Sequence, residues 1–207
     1  MSFKKNKYTV IRQAISKDLA IFLANYFCMQ KQVYDTCLSA RYLSPFEDII
    51  GFYEPEDGQI PNTYSQYANT AMETLLLKCQ PGMEKETGLK LYPAYTYARI
   101  YKKGDELKRH KDRFSCEIST TMNLGGDDWP IYLEPSGKEN MKGTEINLKP
   151  GDMLVYSGCD LEHWREPFKG DECVQVFLHY NNIETSGAKE NMFDTRPHLG
   201  LPSWFKK

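Results

Sequence analysis

A few histidines and one nearby aspartate are the residues of this sequence best suited to bind a metal ion. One residue separates His110 from Asp112, and His163 follows 51 residues after Asp112. Residues i and i+2 of an extended segment point to the same side, so His110 and Asp112 are able to hold one ion together. Two imidazoles and one carboxylate are the set that binds non-haem Fe(II) and leaves positions open for reactants. The sequence therefore predicts a metal site formed by His110, Asp112 and His163.

Two alternatives to this site stay open at this point. The His-x-Asp motif is also typical of an exposed charge cluster. Basic residues surround it: Lys108, Arg109, Lys111 and Arg113. The chain has four histidines, so His179 and His198 are the other candidates for the distant ligand. Only His163 follows a Pro-Gly-Asp turn and an apolar strand pattern, which favours it as the third ligand.

Composition limits the classes of function. The chain has 207 residues, with 26 Lys plus Arg against 28 Asp plus Glu and a net charge of −2. This balance argues against a protein that coats nucleic acid or an anionic membrane, because both need a basic excess. No apolar run approaches the roughly 20 residues of a membrane span, and the N-terminus makes a poor signal peptide. The six cysteines form no CxxC pair, so we expect reduced thiols and a cytoplasmic protein.

The first 88 residues are predicted to be helical support with one long loop. Apolar residues recur at helical spacing from Ser16 to about Ala40, with Ser16 as the cap. Proline and glycine indicate a loop over Ser44–Thr63. A second helix is predicted from about Ser65 to Lys78, interrupted at Gln80-Pro81-Gly82 and followed by a short helix to Thr87.

After Gly88 the period of the pattern changes to two, which is typical of strands. On the first strand, Tyr95, Tyr97, Arg99 and Tyr101 share one face. Turn signals separate five further strand candidates: Cys116–Leu124, Ile131–Leu133, Thr144–Leu148, Met153–Tyr156 and Cys173–Tyr180. Short strands without intervening helices predict a mainly β fold, an antiparallel sandwich or jelly roll with the helices packed outside. We expect a single domain over 1–207, with its β core at 89–181 and a C-terminal tail at 182–207.

The segment Gly104–Arg113, followed by Cys116-Glu117-Ile118-Ser119, resembles the 2-oxoglutarate/Fe(II)-dependent oxygenases. Within that superfamily it is most similar to the prolyl-4-hydroxylase-like branch, which includes small bacterial and phage members. The resemblance implies a double-stranded β-helix, a distorted jelly roll, with Fe(II) at one mouth and with 2-oxoglutarate and O₂ as cosubstrates. It also implies that His110, Asp112 and His163 are the catalytic iron ligands and that Tyr101 lies in the cosubstrate pocket.

The sequence departs from the family at the residue that holds the distal carboxylate of 2-oxoglutarate. In this branch an Arg or Lys stands nine or ten residues beyond the distal histidine, where this chain has Glu172 and Cys173. Arginine is the better bidentate partner for a carboxylate. Four cations are candidates for the displaced anchor, the first three in this order of preference: Arg165, Lys169, Arg99 and Arg113. Gln175 is a candidate for a hydrogen bond to cosubstrate or substrate.

The resemblance implies a dioxygenase that hydroxylates a C–H bond, in a prolyl residue or in another amino acid or small metabolite. We expect a peptide or small-molecule substrate, with no membrane and no nucleic acid as partner. The loop Ser44–Thr63, with Phe46, Phe52 and Tyr53, and the tail are the segments expected to shape substrate choice. Two alternatives remain: a non-enzymatic jelly-roll binding module, and a cupin-like metal enzyme that uses the same ligands without 2-oxoglutarate.

Overall fold

The computed structural model describes residues 3–44 and 47–206, which contain ten strands, three α-helices and two short 3₁₀ helices, Phe114–Cys116 and Met192–Thr195. The α-helices are α1 (Phe3–Asn6), α2 (Lys17–Ser39) and α3 (Thr70–Thr87). The strands are β1 (Tyr8–Ile11), β2 (Tyr64–Tyr67), β3 (Leu91–Lys102), β4 (Leu107–His110), β5 (Ile118–Gly126), β6 (Ile131–Leu133), β7 (Thr144–Ile146), β8 (Met153–Ser157), β9 (His163–Arg165) and β10 (Glu172–Asn182).

The strands form two antiparallel sheets. The larger sheet has six strands in the order β1-β8-β5-β10-β3-β2, and the smaller has four in the order β4-β9-β6-β7. Neighbours in these sheets are distant in sequence, as in β4 with β9 and β10 with β3. This arrangement confirms the predicted mainly β jelly roll.

Alternation along β3 and β10 gives the larger sheet an outer apolar face and an inner, more polar face. On β10, Val174, Val176 and Leu178 belong to the main apolar core. Their neighbours on the other face include Gln175 and His179, which are buried as well. On β3, Arg99 pairs with Gln175 and lies on the same inner side together with Tyr95, Tyr97 and Tyr101.

The helices cover the outer face of the larger sheet. The main core unites Phe27 of α2 and Met72 of α3 with strand residues such as Met122 and Val176. Ser16 caps α2 by accepting a hydrogen bond from the backbone N–H of Leu19 at 3.3 Å, as predicted. None of the helices in the described residues is long and apolar enough to cross a membrane.

The second predicted helix begins later and runs further than expected. Residues 64–67 form β2, whose pairing with β3 places Tyr64 opposite Ile100. Asn69 then caps α3 by accepting hydrogen bonds from the N–H groups of Ala71 and Met72. The predicted interruption at residues 80–82 is wrong, because Pro81 lies within a continuous helix. Pro81 is exposed, so water can satisfy the helix carbonyl that lacks a partner there.

Several short elements were not predicted. Strands β1 and β2 lie in the larger sheet, so the segment 1–88 supplies more than helical support. The three-residue strand β9 and the four-residue strand β4 are too short to show a period. Residues 47–63 contain no helix or strand beyond an isolated bridge from Phe52 to Ser65, in agreement with the predicted loop. Phe46 lies outside the described residues.

Two ion pairs, one of them fully buried, fix the C-terminal tail to the rest of the protein. The guanidinium of Arg196 contacts Glu73 of α3 at 2.7 Å, and both side chains are almost fully buried. Asp194 pairs with Arg113 at 2.9 Å. The tail thus connects α3 with the residue that follows Asp112 in the chain.

Replacing Arg196 with methionine is expected to lower the free energy of unfolding by about 3–5 kcal/mol, because it leaves the Glu73 carboxylate buried and unpaired. Chemical denaturation monitored by circular dichroism measures this loss. The double variant Glu73→Leu/Arg196→Met should lose less than Arg196→Met alone, since no buried charge remains. If the double variant loses as much free energy of unfolding as the two single variants together, Glu73 and Arg196 do not neutralise each other.

Candidate metal centre

Pairing between two short strands brings the predicted ligands together. His110 ends β4 and His163 begins β9, and the two residues face each other in the pairing of these strands. The backbone N–H of Asp112 donates to the carbonyl of Gly158 at 2.9 Å, which holds the carboxylate beside them. Asp112 Oδ1 lies 3.6 Å from His110 Nε2 and 3.5 Å from His163 Nε2.

Backbone carbonyls fix the protonation of both imidazoles. His110 Nδ1 lies 2.8 Å from the carbonyl oxygen of Lys108, and His163 Nδ1 lies 3.1 Å from that of Leu161. A carbonyl only accepts, so each Nδ1 carries the proton and each neutral ring keeps its lone pair at Nε2. Both lone pairs therefore point to the side where the Asp112 carboxylate lies.

This donor set fits a divalent first-row metal. Two imidazole lone pairs beside a carboxylate repel one another unless a cation lies between them. Donor atoms bonded at right angles to one metal, with bonds of about 2.1 Å, lie about 3 Å apart. The two distances from Asp112 Oδ1 to the imidazole nitrogens, 3.6 and 3.5 Å, are slightly longer, and all three donor atoms lie within 4.8 Å of one another. Two imidazoles and one carboxylate on one side of the ion suit non-haem Fe(II) and leave its other positions open.

The carboxylate of Asp112 is positioned by further contacts. Its Oδ2 accepts a hydrogen bond from Ser119 Oγ at 2.8 Å, and Ser119 Oγ lies 3.0 Å from His179 Nδ1. A Cβ atom at Gly158 would overlap Asp112 Oδ2, so glycine leaves the space that this carboxylate occupies. Burial lowers the pKa of His179 to about 4, so its imidazole is neutral at pH 7.

A cavity of about 350 Å³ opens beside the three donor groups. All three predicted ligands line it, which keeps the remaining side of the centre accessible to reactants. Strands β3 and β10 supply much of its wall, with the inner face of β3 as predicted: Tyr95, Tyr97, Arg99, Tyr101, Phe177 and His179. The ring of Tyr101 packs edge-on against Trp129 at 4.8 Å behind this wall.

Arg165 does not line the cavity and lies in the interior behind the same wall. It is 1% exposed; its guanidinium donates to the carbonyl of Trp129 and, at 3.1 Å, to the hydroxyl of Thr121. Its Nε has no hydrogen-bond partner, and no carboxylate of the described residues forms an ion pair with it. Burial lowers the pKa of Arg165. A buried guanidinium without a counter-ion is costly, so this site suits an anionic ligand.

The other anchor candidates lie in different surroundings. Lys169 is exposed and does not line the cavity, because Phe168 is the inward residue of its turn. The amide of Gln175 is used inside the protein, where it accepts from Thr121 and donates to the sulfur of Cys173. Arg99 and Arg113 both line the cavity, but each is paired with an aspartate.

Three residues near the centre, Ser119, Gly158 and Thr121, were not among the predicted site residues. Ser119 belonged to the motif that carried the family resemblance but had no assigned role. Gly158 follows β8 directly, and a glycine at the end of a strand was the one feature of the sequence that could have indicated a close contact there. Thr121 contacts Arg165, and its strand pattern gave no reason to single it out. The distant histidines behave differently, since His179 lines the cavity whereas His198 is exposed in the tail.

Replacing Ser119 with alanine removes the hydroxyl that orients Asp112 and is expected to weaken metal binding about 10- to 100-fold. Anaerobic competition titration with Fe(II) or Co(II) measures the dissociation constant. Ser136→Ala is the matched control, because that hydroxyl bonds Glu134 on another turn. Wild-type affinity in the Ser119 variant would show that the bond to Asp112 has no positioning role.

Comparison with known proteins gives a likeness of structure and none of sequence. No family model and no curated protein matches the sequence. A prolyl-4-hydroxylase from Pseudomonas putida superimposes with a TM-score of 0.56 at 15% identity, over 87% of this chain and 95% of that one. An oxidoreductase of the 2OG-Fe(II) oxygenase family from Burkholderia pseudomallei gives 0.60 at 12% identity, over 88% and 91%.

HygX from Streptomyces hygroscopicus, solved with nickel and 2-oxoglutarate bound, also gives a TM-score of 0.60. Its identity is 12%, over 88% of this chain and 85% of that one. At such identities the likeness establishes the architecture. This chain has the jelly-roll fold of the 2-oxoglutarate/Fe(II) oxygenase superfamily.

Proposed function

We propose that this protein is an Fe(II)- and 2-oxoglutarate-dependent dioxygenase that hydroxylates a C–H bond. The convergence of His110, Asp112 and His163 at the edge of a cavity carries the proposal. A binding module without metal chemistry gives no reason for two imidazole lone pairs and a carboxylate to point at one place. The shared fold with HygX, which was solved with nickel and 2-oxoglutarate bound, supports the choice of cosubstrate.

The residues of the chain would hold and orient the reactants. His110, Asp112 and His163 would bind Fe(II) through two nitrogens and one oxygen. Iron loaded with 2-oxoglutarate and O₂ supplies the oxidising chemistry, which turns the cosubstrate into succinate and CO₂. Ser119 and the backbone of Gly158 would keep the carboxylate of Asp112 in place, and Tyr101 and Trp129 would exclude water from the interior.

Arg165 is the residue that we assign to the distal carboxylate of 2-oxoglutarate. Its guanidinium is buried without a carboxylate partner, and its Nε is free to donate. Tyr101 lines the cavity and lies close enough to influence the charge on Arg165. A dianionic cosubstrate that extends past Tyr101 would neutralise this charge, whereas Arg99 already has an aspartate. Arg165 on β9 would thereby take the role that the family gives to a cation at the position of Glu172 and Cys173.

The substrate that we propose is an amino acid, either prolyl or another residue type, which is free or part of a peptide. The neighbouring Pseudomonas structure is a prolyl-4-hydroxylase, which favours a prolyl group, and the cavity wall is rich in tyrosine. We also propose a cytoplasmic location, because all six cysteines are free, as predicted, which suits a reducing compartment.

Anaerobic loading with Fe(II) followed by 2-oxoglutarate tests the function. We expect a visible charge-transfer absorption that needs both components, and succinate formation once O₂ is admitted. Metal binding without this absorption would favour a cupin-like enzyme that does not use 2-oxoglutarate. Absence of stoichiometric metal binding would favour a non-enzymatic jelly-roll module.

Replacing Arg165 with glutamine is expected to raise the dissociation constant of 2-oxoglutarate about 10- to 100-fold, the worth of one charge-assisted contact. The affinity for Fe(II) should stay within about twofold of the wild type. Arg165→Lys keeps the charge and should recover part of the binding, which separates loss of the anchor from loss of the fold. Unchanged 2-oxoglutarate affinity in both variants would remove Arg165 from the cosubstrate site.

A further inference from the structure

A second buried arginine lies on the cavity wall and is already occupied by a carboxylate of the protein. Arg99 is 6% exposed and belongs to the inner face of β3. Its guanidinium forms an ion pair with Asp57, which comes from the loop at residues 47–63. Among the described residues, Asp57 is the carboxylate that pairs with Arg99.

The surroundings of Arg99 suit a carboxylate from outside. The guanidinium donates to the hydroxyl oxygen of Tyr97 at 3.3 Å, which leaves the hydroxyl proton of Tyr97 free to donate to a ligand. Gln59 adds an amide to the same cavity from the loop. Asp57 Oδ1 accepts from the backbone N–H of Gln59 at 2.8 Å, so one oxygen serves its own turn while Oδ2 reaches Arg99.

The charge around the cavity favours an anion. Three cations line it, namely Arg99, Lys111 and Arg113, whereas Asp112 is its single acidic lining residue among those described. Arg113 is held by Asp194 at 2.9 Å, and Lys111 makes a looser contact of 3.7 Å with Glu139. Cations that line a cavity attract an acidic ligand and raise its rate of association.

We propose that Arg99 binds a carboxylate of the substrate that the enzyme hydroxylates, and that Asp57 occupies this position in the free protein. The inference rests on the proposed function, in which Arg165 serves the cosubstrate and leaves Arg99 to the substrate. An entering carboxylate exchanges with Asp57, so no unpaired guanidinium is left on the wall at any stage. The cavity volume of about 350 Å³ is at the small end for ligand sites, which favours a small carboxylic acid.

Propionate provides a probe that does not depend on the identity of the substrate. Isothermal titration of the full chain, loaded with Ni(II) and saturated with 2-oxoglutarate, measures its binding. Asp57→Ala exposes Arg99 and is expected to bind propionate at least tenfold more tightly than the wild type, and propionamide should not bind. The double variant Asp57→Ala/Arg99→Gln should lose the gain. Glu56→Ala is the matched control, because this neighbouring carboxylate is exposed and makes no ion pair within the described residues.

Equal propionate affinity in the wild type and in Asp57→Ala would overturn the proposal, as would a gain that persists without Arg99. Titration of 2-oxoglutarate into Arg99→Gln decides the remaining alternative. We expect a change below about threefold. A loss as large as that of Arg165→Gln would make Arg99 the cosubstrate anchor and overturn this inference while the dioxygenase proposal stands. If the wild type shows no metal-dependent binding of 2-oxoglutarate, the proposed function itself fails, whatever the propionate result.

Discussion

The antiparallel pairing of β4 with β9 is the contact on which the metal centre depends. It sets His110 opposite His163, although 53 positions separate them in the chain. The carbonyls of Lys108 and Leu161 then determine which nitrogen of each ring carries the proton. Strand pairing therefore places the two histidines, and a hydrogen bond from each ring to a backbone carbonyl holds that ring in one orientation.

The interior of the jelly roll contains arginines in three different electrostatic situations. Arg196 is neutralised by Glu73 and bonds a backbone carbonyl of β3, so it belongs to the architecture. Arg99 is neutralised by Asp57 of the loop at residues 47–63. Arg165 has no carboxylate partner among the described residues. Because burial of an unpaired charge costs several kcal/mol, the degree of neutralisation separates a structural arginine from one kept for a ligand.

The tail is part of the same arrangement. Phe193, Asp194 and Thr195 all have positive φ, at 60°, 54° and 65°, a conformation that non-glycine residues rarely adopt. Asp194 compensates for this cost by accepting hydrogen bonds from Arg113, Ser115 and Tyr67. The guanidinium of Arg113 in turn lies over the ring of Tyr95 at 4.8 Å. The C-terminal segment thus supports the cavity wall from outside.

The sequence by itself determined the residue types of the centre and the faces of the long elements. His-x-Asp spacing needs only an extended backbone, and the alternation over β3 and β10 lasts long enough to separate two faces. Helix α2 was equally evident because its apolar period extends over several turns. These are local properties, so a single stretch of chain is enough to express them.

Only the tertiary structure decided which cation is free and where the short strands lie. Residues 64–67 are as compatible with a helix as with a strand, and their pairing with β3 selects the strand. The local sequence around Arg99, Arg165 and Lys169 does not show which of these cations lacks a carboxylate partner, because the partners come from distant segments. Asp57 reaches Arg99 across 42 positions, whereas Lys169 stays in solvent because Phe168 fills the interior of its turn. Burial and pairing are properties of the folded chain, and for that reason the sequence left the anchor open.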